Sequence, residues 1–228
     1  MKFLTFDETR DFPYYKHNPR MSKIGWAVLL VLVPIVFIVY FLISSFSELA
    51  GGVVFCFGLL IPLLYFSNWD YRLLFHKPTK NEIILAVLMF IGYMVYSIAM
   101  QYVLQSVGIT SNSPMESSDI NYISIIALIF SMMGEELIKF IPLMFFMRVI
   151  YKFSNKRTLA FVLSSIIICT YFGMLHYYDS MIMALVLQGL GTVFELYGYY
   201  KTKNLLVPYM SHLLTDAFIY ILMMMGMA

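Results

Sequence analysis

Charge is scarce in this chain of 228 residues: only 12% are Asp, Glu, Lys or Arg, against 61% hydrophobic. A water-soluble domain of this size has too little interior to bury so much apolar surface, so a soluble fold is excluded. Cysteine is nearly absent. Cys56 and Cys169 both fall inside apolar runs, which leaves no disulfide framework and no cysteine-based metal site. Alternating ten-residue strands are lacking as well, so a membrane β-barrel is excluded. The first 23 residues contain five basic residues and no signal-peptide core. They are expected to form a polar cytoplasmic tail, with the first span acting as an uncleaved insertion signal. No nucleic-acid partner is expected.

What the chain does contain is apolar runs long enough to cross a bilayer. Seven segments are visible, at about 24–44, 49–67, 82–105, 120–148, 158–177, 181–199 and 205–226. Of the 15 basic residues, 14 fall in alternate connections; the exception is Lys139, inside the fourth segment. Because basic residues collect on the cytoplasmic side, the expected fold is an all-α transmembrane bundle of about seven spans, N-terminus inside and C-terminus outside. Small size and few cysteines point to a multi-pass protein of a bacterial plasma membrane. Oligomeric state is left open.

The first three spans, within residues 24–118, hold no ionisable residue in their interiors and read as scaffold. Residues 119–228 hold all the intramembrane charge and read as a four-helix functional core of the same domain. Phe12, Tyr14 and Tyr15 of the tail, with Phe3 and Phe6, are expected at the lipid interface. Pro34, Pro62 and Pro142 fall within spans, where proline can kink a helix. Gly51, Gly52, Gly189 and Gly191 are expected to let helices approach closely.

The fourth span carries Gly134-Glu135-Glu136-Leu137-Ile138-Lys139 near its middle. Each such group costs about 2.5–3.5 kcal/mol to insert, so ionisable residues at this depth usually serve a site. A structural ion pair would account for one carboxylate and one amine, but it leaves the second carboxylate over. Neighbouring residues on a helix point about 100° apart, so Glu135 can face a cavity while Glu136 pairs with Lys139. His176 or His212 alone would be an ordinary packing histidine. Together with Asp216, one helical turn after His212, they offer an imidazole–carboxylate face suited to metal binding or to orienting a histidine. Glu195 lies six residues before Lys201 and is expected to snorkel to the cytoplasmic interface.

These residues resemble the CAAX-protease and bacteriocin-processing (CPBP, or Abi) intramembrane proteases, whose three motifs are EExxxR, FxxxH and HxxxN. Phe172-Gly-Met-Leu-His176 is similar to the second motif, and the approach from Gly189 to His212 is similar to the third. The first departs from the pattern: Phe140 stands at the arginine position, and Lys139 gives the EExxK of PrsW-type proteases. Asp216 stands where the family has asparagine. An ionised Asp cannot donate a hydrogen bond to an oxyanion, so Asp216 is read as a metal ligand, a protonated donor or an orienter of His212.

The resemblance implies an endopeptidase cleaving a membrane-associated peptide or protein, as in bacteriocin or signal-peptide maturation or self-immunity, with CAAX prenyl processing ranked last. Glu135 would be the general base. His176, His212 and Asp216 would bind the same water or stabilise the oxyanion, or, together with Glu135, would hold a divalent metal of which zinc is the foremost choice. Glu136 and Lys139 would hold the helix face, with Phe172 in support. The alternative from another class is a non-proteolytic membrane carrier or scaffold. Counting along helices, His176 stands about 28 Å from Arg157, but Glu136 only about 18 Å from Arg148. For the motifs to meet, the fifth helix must begin in the cytoplasm, tilt or kink.

Overall fold

A computed structural model describes residues 4–7, 9–16, 20–110 and 120–226. Among these residues there are helices and no strands. Seven long helices follow one another: α1 Lys23–Ser44, α2 Glu48–Phe66, α3 Lys80–Ser106, α4 Tyr122–Ser154, α5 Arg157–Leu175, α6 Met181–Thr202 and α7 Leu206–Met224. All but α4 are long and apolar enough to cross a membrane. The protein is a multi-pass membrane protein.

The helix starts follow from local chemistry. Ser22 and Ser47 accept hydrogen bonds from Gly25 and Ala50 at the starts of α1 and α2. Thr79 and Asn121 form capping boxes with Glu82 and Ser124 at the starts of α3 and α4. Each cap satisfies backbone N–H groups that a helix start leaves unpaired. Pro34, Pro62 and Pro142 sit within unbroken helical segments. The middle of α6, Ala184–Leu190, winds as a π-helix.

The α4 helix is the axis of the fold. It runs 33 residues and buries almost every side chain from Met132 to Met144. The α1–α2 hairpin packs on one side of it and α5 on another, while α7 bridges α4 to α3 and α6. Its burial by protein rather than lipid explains why this one helix tolerates three charges, Glu135, Glu136 and Lys139, at its middle. At the α5–α6 crossing, a Cβ on Gly189 would lie 2.7 Å from the carbonyl oxygen of Cys169, so only glycine permits this approach. Cys56 and Cys169 are free and buried.

At the basic end the connections between helices pack on one another. The α6–α7 turn is held by the α2–α3 connection: Leu205 N–H donates to Leu74 at 2.9 Å, and Asn204 Nδ2 donates to His76 at 3.0 Å. Over this turn lies a strap, residues 9–16. Its Phe12, Tyr14 and Tyr15 are 1–4% exposed, not at the lipid interface as expected from the sequence. Phe12 stacks on Phe161 with ring centroids 5.3 Å apart, and Arg148 donates to the Tyr14 carbonyl at 3.1 Å. Burial pushes the Tyr14 phenol up to about 12. Of the other two aromatics, Phe6 packs beside Met89 and Val207, and Phe3 lies outside the described residues.

Candidate active site

The expected span at 120–148 is too short: α4 continues to Ser154. Glu135 stands nineteen positions before that end, and His176 stands nineteen positions after the start of α5 at Arg157. Two antiparallel helices joined by a short turn at Asn155–Lys156 therefore bring the two residues level, each about 28 Å from the turn. Neither tilt nor kink is needed. Arg148 is not the margin, because it is engaged by the strap instead of ending the helix. His212 lies only six positions into α7, which reaches the same level because the α6–α7 turn is sunk beneath the strap.

The side chains meet as follows. Oε2 of Glu135 is 3.8 Å from Nε2 of His176 and 3.7 Å from Nε2 of His212. Oδ2 of Asp216 is 3.9 Å from the same His212 nitrogen. Behind them, Lys139 Nζ donates to Glu136 Oε1 at 2.6 Å and to Glu195 Oε2. Nδ1 of His212 is 2.9 Å from Glu136 Oε1, and Nδ1 of His176 is 2.9 Å from the Phe172 carbonyl. An oxygen of either kind accepts, so each imidazole carries its proton on Nδ1 and turns Nε2 toward Glu135. The Phe172 ring supports this layer, 4.5 Å from Lys139 Nζ and 4.3 Å from the His176 ring.

Burial divides the group into two layers. Glu136 and Lys139 are only 3% and 2% exposed, whereas the side chains of Asp216 and His176 are 29% and 31% exposed. The open layer sits where α5 ends, at the Tyr177–Ser180 turn, while α4 and α7 run on past it. A non-helical turn at such depth is tolerated only beside protein or a water-filled cavity.

Glu195 was expected at the interface, and the structure corrects this. It is buried against Lys139 and lies 3.8 Å from His212 Nδ1. Distance to Lys201 misled, because Glu195 turns inward to the Lys139 ammonium instead of reaching along α6 toward Lys201. The signal present in the sequence was one of charge parity: Lys139 is a single ammonium among several intramembrane carboxylates.

Residues 117–218 match the family described as type II CAAX prenyl endopeptidase, Rce1-like. This segment, a little under half of the chain, is similar to the Rce1-like endopeptidases. It spans α4 to α7 through Asp216 and thus every side chain named above, while the scaffold helices α1–α3 fall outside the match. No curated protein and no solved structure matches the chain. The Rce1-like family implies a protease acting within the membrane. Its members hydrolyse peptide bonds, and the metal question turns on the donor set present here. Ligand atoms of Glu136, Glu195 and His212 lie within 4.8 Å of one another, a spacing that could hold a metal ion.

Proposed function

We propose that the protein is an intramembrane endopeptidase in which Glu135 acts as general base on a water held between it and the two imidazoles. The observation that carries this reading is the pair of gaps, 3.7 and 3.8 Å, from one carboxylate oxygen to two Nε2 atoms. They are too long for direct hydrogen bonds, and both nitrogens face the same carboxylate oxygen. A carboxylate and two imidazoles around an open position is a hydrolytic arrangement.

The donor set also fits a divalent metal. Glu135, Glu136, Glu195 and Asp216 supply four carboxylates and Lys139 one ammonium, an excess of negative charge that burial makes costly. Of the two candidate sets, Glu136–Glu195–His212 already holds the Lys139 ammonium, and His212 gives it a protonated Nδ1. Glu135 and the Nε2 atoms of His176 and His212, with Asp216 beside them, are free of the Lys139 ammonium and would hold zinc. Such an ion supplies a water acidified to near neutral pH and polarises a carbonyl.

The residues' own work is then definite. Glu135 takes a proton from the water as its oxygen bonds to the scissile carbonyl carbon. The same carboxyl returns that proton to the amine as the C–N bond breaks. Glu136 holds His212, the Phe172 carbonyl holds His176, and Lys139 with Glu195 fixes Glu136. Water and substrate enter beside the Tyr177–Ser180 turn, on the side where His176 and Asp216 are exposed. The substrate is a membrane-anchored peptide or protein, such as a bacteriocin precursor or signal peptide, in preference to a prenylated C-terminus. A carrier would need ionisable groups leading to both faces, and α1–α3 offer none in their membrane interiors.

The test is cleavage of a library of membrane-anchored peptides by purified full-length protein in detergent, read by mass spectrometry. Wild type is expected to release discrete fragments and Glu135→Ala none. Fragments of equal yield from both proteins would refute the reading.

A further inference from the structure

A second cavity, of about 540 Å³, lies at the basic end of the bundle, remote from the carboxylates. The strap contributes Arg10 and Lys16 to its wall, the α2–α3 connection contributes Arg72, and the α6–α7 turn contributes Lys203. Asp11 is the only acid in the lining, and it is engaged by Arg157 at 3.1 Å and by the Tyr15 hydroxyl at 2.7 Å.

Four cations around one hollow repel one another, yet the fold assembles them from three separate stretches of chain. Arg10 is fixed there: its Nη1 donates to His76 Nδ1 at 2.6 Å and to the Arg72 carbonyl at 3.4 Å. Because an arginine can only donate, His76 accepts at Nδ1 and its Nε2–H donates to Glu82 Oε1, 2.9 Å away. Lys203 is 8% exposed, with its ammonium 5.2 Å from the Phe12 ring centroid. It adopts φ +51, a left-handed conformation that glycine takes far more readily than lysine.

We propose that this cavity binds a phosphate group carried by an anionic phospholipid headgroup, recognised by Arg10, Lys16, Arg72 and Lys203 together. Guanidinium forks match phosphate oxygens. Basic hollows at the ends of transmembrane helices stand at the level where lipid phosphates lie. Occupancy would hold the strap on the α6–α7 turn, from which α6 carries Glu195 and α7 carries His212. The inference is independent of the protease reading.

The experiment uses full-length protein in phosphatidylcholine nanodiscs, with phosphatidylglycerol or inorganic phosphate added. Retained lipid is counted by native mass spectrometry, and melting temperature is followed in parallel. Wild type is expected to retain phosphatidylglycerol and melt higher with it. The double variant Arg72→Gln, Lys16→Gln should bind it about 25-fold more weakly, roughly fivefold per charge. Lys152→Gln, which removes a charge outside the cavity, should match wild type. Equal retention by the double variant and wild type, or an equal loss in Lys152→Gln, overturns the site. Inorganic phosphate that stabilises fully and leaves no further effect for the lipid overturns the lipid assignment in favour of a soluble phosphate. Should the double variant not fold, photo-crosslinking of a phosphatidylglycerol analogue to wild type decides. Adducts within residues 9–16 or 71–73 support the site, and adducts solely elsewhere overturn it.

Discussion

Oε1 of Glu136 accepts from both Nδ1 of His212, at 2.9 Å, and Nζ of Lys139, at 2.6 Å. One buried oxygen thus sets the tautomer of an imidazole on α7 while being balanced by an ammonium on its own helix. Glu136→Gln keeps the volume but replaces a charged acceptor by an amide. Turnover is expected to fall about 10–100-fold, the usual effect of removing a group that orients a ligand or catalytic histidine. Circular dichroism should remain that of wild type. Undiminished turnover would show that Glu136 has no orienting role.

Lys139 stands between Glu136 and Glu195, so its loss leaves two buried carboxylates facing each other. Lys139→Met is expected to destabilise by about 3–5 kcal/mol, the range for breaking a buried ion pair from one side. Glu195→Gln should cost less, because Lys139 keeps Glu136 as a partner. Thermal melting in detergent checks the order: wild type highest, Glu195→Gln next, Lys139→Met lowest. A Lys139→Met protein melting with wild type would mean that the carboxylates are not charged.

Asp216 stands at the position of the family asparagine, 3.9 Å from Nε2 of His212. As a metal ligand or ionised orienter, it should resist replacement by the family residue. Asp216→Asn is expected to lose about 10–100-fold in metal affinity or activity, read by elemental analysis alongside turnover. Full activity with unchanged metal content would assign Asp216 to a metal-free role as a neutral donor.

Much of the fold was legible because lipid imposes length and apolarity on each span, and the seven segments fall within a few residues of the helices outside α4. The end of α4 was not. Arg148 reads as a membrane margin in sequence, yet its partner is a backbone carbonyl of the strap, 134 positions away. The strap itself was read from composition as a polar tail, since nothing local reveals that Phe12 and Tyr14 are buried. Glu135, His176 and His212 stood out by their cost in an apolar run. Glu195 did not, because its partner Lys139 lies 56 positions away and a π-helical stretch intervenes in α6. An inserted residue there turns the following face by about 100°.

Basic residues alternate between connections, and the protein is expected to place its N-terminus in the cytoplasm. Val107, 66% exposed at the end of α3, should accept a membrane-impermeant maleimide in intact cells as Val107→Cys. Lys156→Cys at the α4–α5 turn should label only after lysis. The buried native cysteines give no competing signal. The reverse pattern would invert the topology.

The central claim is that Glu135 and His212, on different helices, act as one unit on one water. Peptide turnover by Glu135→Gln, His212→Asn and the double variant tests it most directly. Each single variant is expected to lose about 10²–10⁴-fold, the range for general acid–base groups. The double variant should lose little more than the worse single, since groups acting as a unit are not additive. Losses that multiply in the double variant, or either single variant turning over like wild type, would contradict a shared site.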